Sequence, residues 1–222
     1  MSPIAKGGYW VLDYVFAVRG QLQGFFDRTD PATLQDGDRE PVLLIPGIWE
    51  TWRFLLAVAQ HLHDAGHPVH VLPTLKHNGA PVAASAEIVR AYLAEHDLQH
   101  VVIVAHSKGG LIGKYAMLLQ DPDHRIDRMV AISTPFNGSL YAPYTVLPSL
   151  RAFSPKDATT VLLGKNLSVN ARITSIFAEF DPHIPGGSTL PGATNVRLRT
   201  AGHFRILRLS VIARPLDEAL AR

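Results

Sequence analysis

The stretch "VVIVAHSKGG", Val101 to Gly110, decides how the rest of the chain is read. Five apolar residues, Val101 to Ala105, predict a short buried strand. A polar knot, His106-Ser107-Lys108, follows, and the glycines lead into a predicted helix from Lys108 to about Gln120. A strand-to-helix turn this tight strains its central residue. It also needs small residues two before and two after, so that strand and helix can cross; here these are Ala105 and Gly109. The turn sets Ser107 at a helix N-terminus, where the backbone dipole favours developing negative charge. An ordinary strand–loop–helix connection capped by serine is the competing reading of the same five residues.

Outward from this turn, strands and helices alternate. Strands are expected at Val42 to Ile45, Val69 to Leu72, Met129 to Ser133, Ile173 to Phe180 and Asn195 to Thr200. Helices are expected between them, one capped by Thr51 with an apolar face of Trp52, Leu55, Leu56, Ala59 and Leu62, and one from Pro81 to about His96. From His203 the chain reads as helical, divided at Pro215. Val/Ile/Leu-rich strands alternating with helices imply an α/β fold, a mostly parallel sheet covered on both faces. Ligands in such sheets bind beyond the carboxyl ends of the strands, so the residues just after each strand are the candidates for chemistry.

A serine hydroxyl needs a general base and a carboxylate to orient that base. Eleven histidines are present. Only His183 and His203 follow the late strands; His203 lies in "TAGHFRIL", where Gly202 leaves room. Asp181 ends the strand Ile173 to Phe180, whereas Glu179 is still inside it and Asp157 precedes it. The expected set is therefore Ser107 as nucleophile, His203 as base and Asp181 as acid, with His183 turned elsewhere. Two backbone N–H groups should receive an oxyanion: that of Lys108, and that of Ile48 in "IPGIWE", where Gly47 permits the turn. Ile48, Trp49, Phe136 and Tyr141 suggest an apolar acyl pocket. The stretch "YAPYTVLPSL" reads as pocket wall or short lid, with ordinary core packing as the alternative.

These pieces resemble the α/β-hydrolase superfamily, and most of all the small bacterial lipases and esterases with a minimal sheet. The matching motifs are "LLIPGIWE", "VVIVAHSKGGL", "AISTPFNGS", "FAEFDPHIP" and "AGHF", spread over most of the chain. The resemblance implies Ser107, Asp181 and His203 as the triad and Ile48 and Lys108 as oxyanion donors. Two positions depart from the family habit. Pro46 stands where a histidine often precedes the glycine of the oxyanion loop, and Lys108 stands where an apolar residue often follows the nucleophile, so its charge could bear on substrate choice. The function implied is hydrolysis of carboxylic esters through an acyl-enzyme. Acyl transfer to an alcohol, thioester cleavage, or a catalytically inactive binding scaffold remain the alternatives.

Composition agrees. With 222 residues, 47% hydrophobic and 18% charged, the chain can bury a full core as one domain, 1–222, with a helical and loop extension at 1–40 and a lid or wall at 139–165. The net charge of +2 comes without a basic block, which argues against nucleic acid. Without cysteine there are no disulfides, thiolate sites or cysteine nucleophile. The histidines of "HLHDAGHPVH" (His61, His63, His67, His70) diverge and read as polar surface residues, so no metal and no cofactor is expected. Gly7 to Phe26 is expected as an amphipathic helix packed on the domain, with a peripheral membrane contact through Tyr9 to Phe26 as the alternative. Its apolar run is interrupted by Asp13, only Lys6 precedes it, and no small-residue cleavage site follows. A cytoplasmic location is expected.

Overall fold

A computed structural model describes residues 3–146, 148–151 and 153–221; residues 147 and 152 of the expected lid stretch lie outside it. Six strands form one sheet in the order β2-β1-β3-β4-β5-β6, and every pair is parallel. The strands are β1 (Val42–Ile45), β2 (Val69–Val71), β3 (Val101–His106), β4 (Ile126–Ile132), β5 (Ile173–Phe180) and β6 (Thr194–Ala201). The helices are α1 (Pro3–Phe26), α2 (Leu56–Asp64), α3 (Val82–Glu95), α4 (Lys108–Leu119), α5 (Pro148–Arg151), α6 (Ala158–Lys165) and α7 (Leu209–Leu220).

The period of two in the strands sorts their side chains into two cores. Val42, Leu44, Val102, Val104, Val130 and Ile132 pack with α2 and α7 on one face. Leu43, Ile45, Ile103, Ala105, Met129 and Ala131 pack with α3 and α4 on the other. Because β1 pairs with β2 on one side and β3 on the other, the winding direction reverses there. That opens a crevice at the carboxyl ends of β1 and β3.

Several local expectations change. Thr51 precedes a 3-10 turn, Trp52–Leu55, but its side chain makes no capping bond. Val58 joins Trp52, Leu55, Ala59 and Leu62 in the buried face of that segment, and Leu56 is only partly buried. Pro215 sits inside an unbroken α7. Helix α1 forms, but its apolar residues do not all pack inward. Asp13, read as an interruption, is its fully buried residue, while Val11, Val15, Val18, Leu22 and Phe25 are exposed. The histidines of the 61–70 stretch each take a different partner: Asp217, Asp36, the Glu40 carbonyl and Tyr92. His67 and His70 are buried, which corrects their reading as surface groups.

Candidate active site

The turn after β3 holds Ser107 at φ 51°, ψ −119°, a conformation non-glycine residues rarely adopt. Its N–H donates to the Ile132 carbonyl of β4 at 2.8 Å, which pins the turn to the sheet. The requirement for small neighbours is literal. A Cβ on Gly109 would lie 2.2 Å from the Ile45 carbonyl oxygen, and one on Gly110 would lie 2.0 Å from Thr134 Oγ1.

Three side chains from three strand ends meet there. His203 Nε2 is 2.9 Å from Ser107 Oγ, and His203 Nδ1 is 2.7 Å from Asp181 Oδ2. Facing a carboxylate, Nδ1 carries the ring proton and donates it, which leaves Nε2 to accept the serine hydroxyl. Asp181 Oδ1 in turn accepts the N–H groups of His183 and Ile184 at 2.8 and 3.0 Å, so both oxygens of this carboxylate are held. Burial alone would push the His203 imidazolium below its ordinary 6.5. The Asp181 carboxylate beside it, with Glu50 and Asp13 farther off, outweighs that and leaves the pKa raised. Burial acts to raise the Asp181 carboxyl, but the charge and hydrogen bond of His203 and the N–H of His183 hold it below its ordinary value.

A second tier fixes the backbone around these groups. Asp13 of α1 accepts the N–H groups of His203, Phe204 and Arg205 at 2.9, 3.0 and 2.9 Å. Gly202 makes room for that carboxylate, since a Cβ at its φ of +120° would sit 2.5 Å from Asp13 Oδ1. His106 is fully buried; its Nε2–H donates to the His203 carbonyl at 3.1 Å and its Nδ1 lies 2.9 Å from Glu50 Oε2. The same Glu50 oxygen accepts the Gly47 N–H at 2.6 Å. One chain of bonds thus links the β1 loop to the backbone of His203. Among these residues, Asp13 and Glu50 carry no expectation of a role in the sequence, and His106 stands there only as part of the polar knot before the helix. No local pattern marks them, because each acts on a partner remote in sequence.

Ile48 shares the cavity lining with Ser107, and Lys108 follows the serine directly in the chain. The Lys108 N–H begins α4 and has no partner inside the helix, and Ile48 lines the cavity. The Lys108 side chain turns away from the site. Its Nζ donates to the carbonyls of Asn78, at 2.7 Å, and Ala80, and burial brings its pKa down to about 8. Asn78 Nδ2 then donates to the Pro46 carbonyl at 2.7 Å, so this lysine braces the β1 loop and does not bring charge to the pocket.

The serine opens into an apolar cavity of about 360 Å³ lined by Trp49, Tyr141, Ala142, Leu150, Phe153 and Ile184, among others. Phe136 does not line it; that ring is 2% exposed in the core, with Lys114 Nζ 5.9 Å from its centre. Trp10 and Tyr14 of α1 line it unexpectedly. His183 also differs from expectation. Its ring lies 5.0 Å from that of His203 and walls the cavity, and its Nε2 stops 3.9 Å from Asp13 Oδ2 with no hydrogen-bond partner. Burial and the neighbouring His203 push it down to about 4. Among the described residues no cluster of histidine and carboxylate side chains could hold a metal ion.

A search among curated proteins gives no match to the sequence. Solved structures do match in fold. The mature lipase BlEst2 of Bacillus licheniformis aligns with a TM-score of 0.65 at 16% identity, covering 87% of this chain and 94% of that one. A putative non-heme bromoperoxidase, BpoC, from Mycobacterium tuberculosis aligns at 0.63 and 14%, covering 84% and 93%. Lipase B of Aspergillus fumigatus aligns at 0.63 and 20%, covering 83% of this chain and 57% of that one. At such identities the likeness is one of fold. Residues 40–182 also match the family described as alpha/beta hydrolase fold, and with the parallel sheet and the serine turn in view, the chain belongs to that family.

Proposed function

We propose that the protein hydrolyses carboxylic esters by way of an acyl-enzyme. One observation carries this reading: the continuous hydrogen-bonded line from Asp181 through His203 to Ser107, ending at the floor of an apolar cavity. A binding scaffold would have no use for a strained, buried serine bonded to a buried histidine.

In the proposed cycle, Ser107 Oγ attacks the ester carbonyl as His203 Nε2 takes its proton. Asp181 stabilises the imidazolium and keeps its tautomer. The backbone N–H groups of Ile48 and Lys108 receive the oxyanion, a contribution of about 3 kcal/mol per donor. His203 then protonates the leaving alcohol, and afterwards activates the water that frees the acid. The Trp49 and Tyr141 side of the cavity would take the acyl chain. A volume of about 360 Å³ is near the lower end of small-molecule sites, roughly 300–1,000 Å³, which favours short and medium acyl groups.

The test is labelling by a fluorophosphonate probe, followed by a p-nitrophenyl ester series of rising chain length. Wild-type protein should label and should prefer the shorter esters; Ser107→Ala and His203→Ala should not label. Unlabelled wild-type protein would sink the reading.

A further inference from the structure

Helix α1 packs with its small and polar side inward. Asp13, Phe16, Gly20 and Gly24 face the domain; a Cβ on Gly20 would come within 2.7 Å of the Phe54 ring, and one on Gly24 within 3.1 Å of Arg53. The opposite face is apolar. Val11, Val15, Val18, Leu22 and Phe25, with Leu12 and Phe26 beside them, are 50–76% exposed. A surface helix ordinarily turns such a stripe to the core, and a contiguous exposed stripe marks a docking surface.

What borders the stripe identifies the partner. On one side, Trp10 and Tyr14 of the same helix wall the catalytic cavity. The segment across that cavity exposes Tyr141, Tyr144 and Val146 at 53, 88 and 84%. On the other side of the stripe runs a groove of about 1030 Å³ that combines apolar walls with Arg19, Arg53, Arg205 and Arg208. Its single carboxylate, Asp27, is paired with Arg53 at 3.3 Å. Among the described residues Arg19 and Arg208 form no ion pair, and Arg205 Nη1 is buried without a hydrogen-bond partner.

We propose that this face docks on an anionic lipid bilayer. The α1 stripe lies among the upper acyl chains, the exposed Arg19 and Arg208 at the groove meet lipid phosphates, and the cavity mouth opens along the interface. A helix with an apolar stripe and flanking cations lies in the plane of an anionic leaflet. No helix among the described residues is long and apolar enough to cross a membrane, consistent with an in-plane contact. A second copy of the chain fits less well. A two-fold contact sets a patch against itself, which would bring both arginine grooves together.

The test uses the Ser107→Ala protein, so that its result is independent of any hydrolysis. Its co-sedimentation is measured with phosphatidylcholine vesicles and with vesicles holding about one-third phosphatidylglycerol. Binding to the anionic vesicles should be at least about tenfold tighter and should weaken with salt. Leu22→Asp combined with Phe25→Asp should cut it about tenfold or more, through loss of apolar insertion. Arg19→Gln combined with Arg208→Gln should remove the preference for anionic lipid. All these outward changes, placed in the otherwise wild-type enzyme, should leave melting and short-ester hydrolysis as they were. A readout without any change in α1 is quenching of Trp10 and Trp49 emission by brominated lipid. Failure to sediment with either vesicle, unaltered binding by the double aspartate variant, or absent quenching would overturn the proposal. So would a stripe-dependent dimer formed in place of vesicle binding, which would assign the face to a second copy.

Discussion

The Asp13 carboxylate accepts the backbone N–H of His203 at 2.9 Å, across 190 positions of sequence. With its two further bonds to Phe204 and Arg205, it caps the turn that carries His203. In the proposed cycle Asp13 is thus a positioning residue. In Asp13→Asn an amide NH₂ replaces one acceptor and the charge is lost, where each charged buried bond is worth about 1.5–3 kcal/mol. We expect kcat to fall roughly 10–100-fold with KM little changed. The acid limb of the pH profile should also move to lower pH, because the Asp13 charge helps hold His203 up. A purely structural role would lower the amount of active enzyme and leave the limb in place.

The pH profile itself has a stated sign. In the proposed cycle His203 must be unprotonated to take the serine proton, and its pKa is raised above 6.5. Activity should therefore fall as pH drops through a midpoint above 6.5. In Asp181→Asn the main raising influence is gone, so the limb should shift downward while the plateau drops about 10³–10⁴-fold. Steady-state kinetics between pH 5 and 9, roughly the window of histidine titration, check both.

His183 makes a prediction about stability. Its folded-state pKa is depressed to about 4, so between the ordinary 6.5 and 4 the unfolded chain binds a proton that the folded chain refuses. Stability from this group is then present above pH 6.5 and lost as pH falls, by about 3 kcal/mol in all. His183→Phe should flatten urea-unfolding stability across that window. An unchanged slope would mean that the proton is accommodated elsewhere.

Asn78 joins the Lys108 brace to the β1 loop while holding a φ of +49° that asparagine tolerates. Asn78→Ala strands the Pro46 carbonyl and adds backbone strain. We expect a loss of roughly 2–3 kcal/mol in stability and a several-fold drop in kcat as the Ile48 N–H loosens.

Gly109→Ala should be far worse, because the added methyl meets backbone at 2.2 Å and neither β1 nor α4 can retreat. A loss of more than about 3 kcal/mol in thermal or chemical unfolding is expected. Gly164→Ala, on α6 with open space around it, is the control and should be neutral or slightly stabilising.

The strand pattern and the serine turn were legible because their causes are local. Apolar runs make the strands, and the crossing at Gly109 demands small residues. The meeting of Asp181 with His203 was legible because parallel strands deliver their ends to one edge. Asp13 was not: its partners arrive from the far end of the sequence, so it read as a flaw in an apolar run. Phe136 misled because a residue after a strand end can turn into the core as easily as into the cavity. His183 was expected to turn away, yet burial against His203 and Trp10 outweighs its polarity. The period of α1 was readable, but amphipathicity alone does not say which face meets the domain.

The bond between Asp13 and His203 also bears on the order of folding. A loop closed over 190 residues forms late relative to local contacts, because its closure entropy must be met before it stabilises anything. The sheet and the serine turn can form while α1 is still undocked. Refolding followed by burial of the sheet should therefore run ahead of refolding followed by recovered turnover, and the interval between them measures how long His203 waits for its cap.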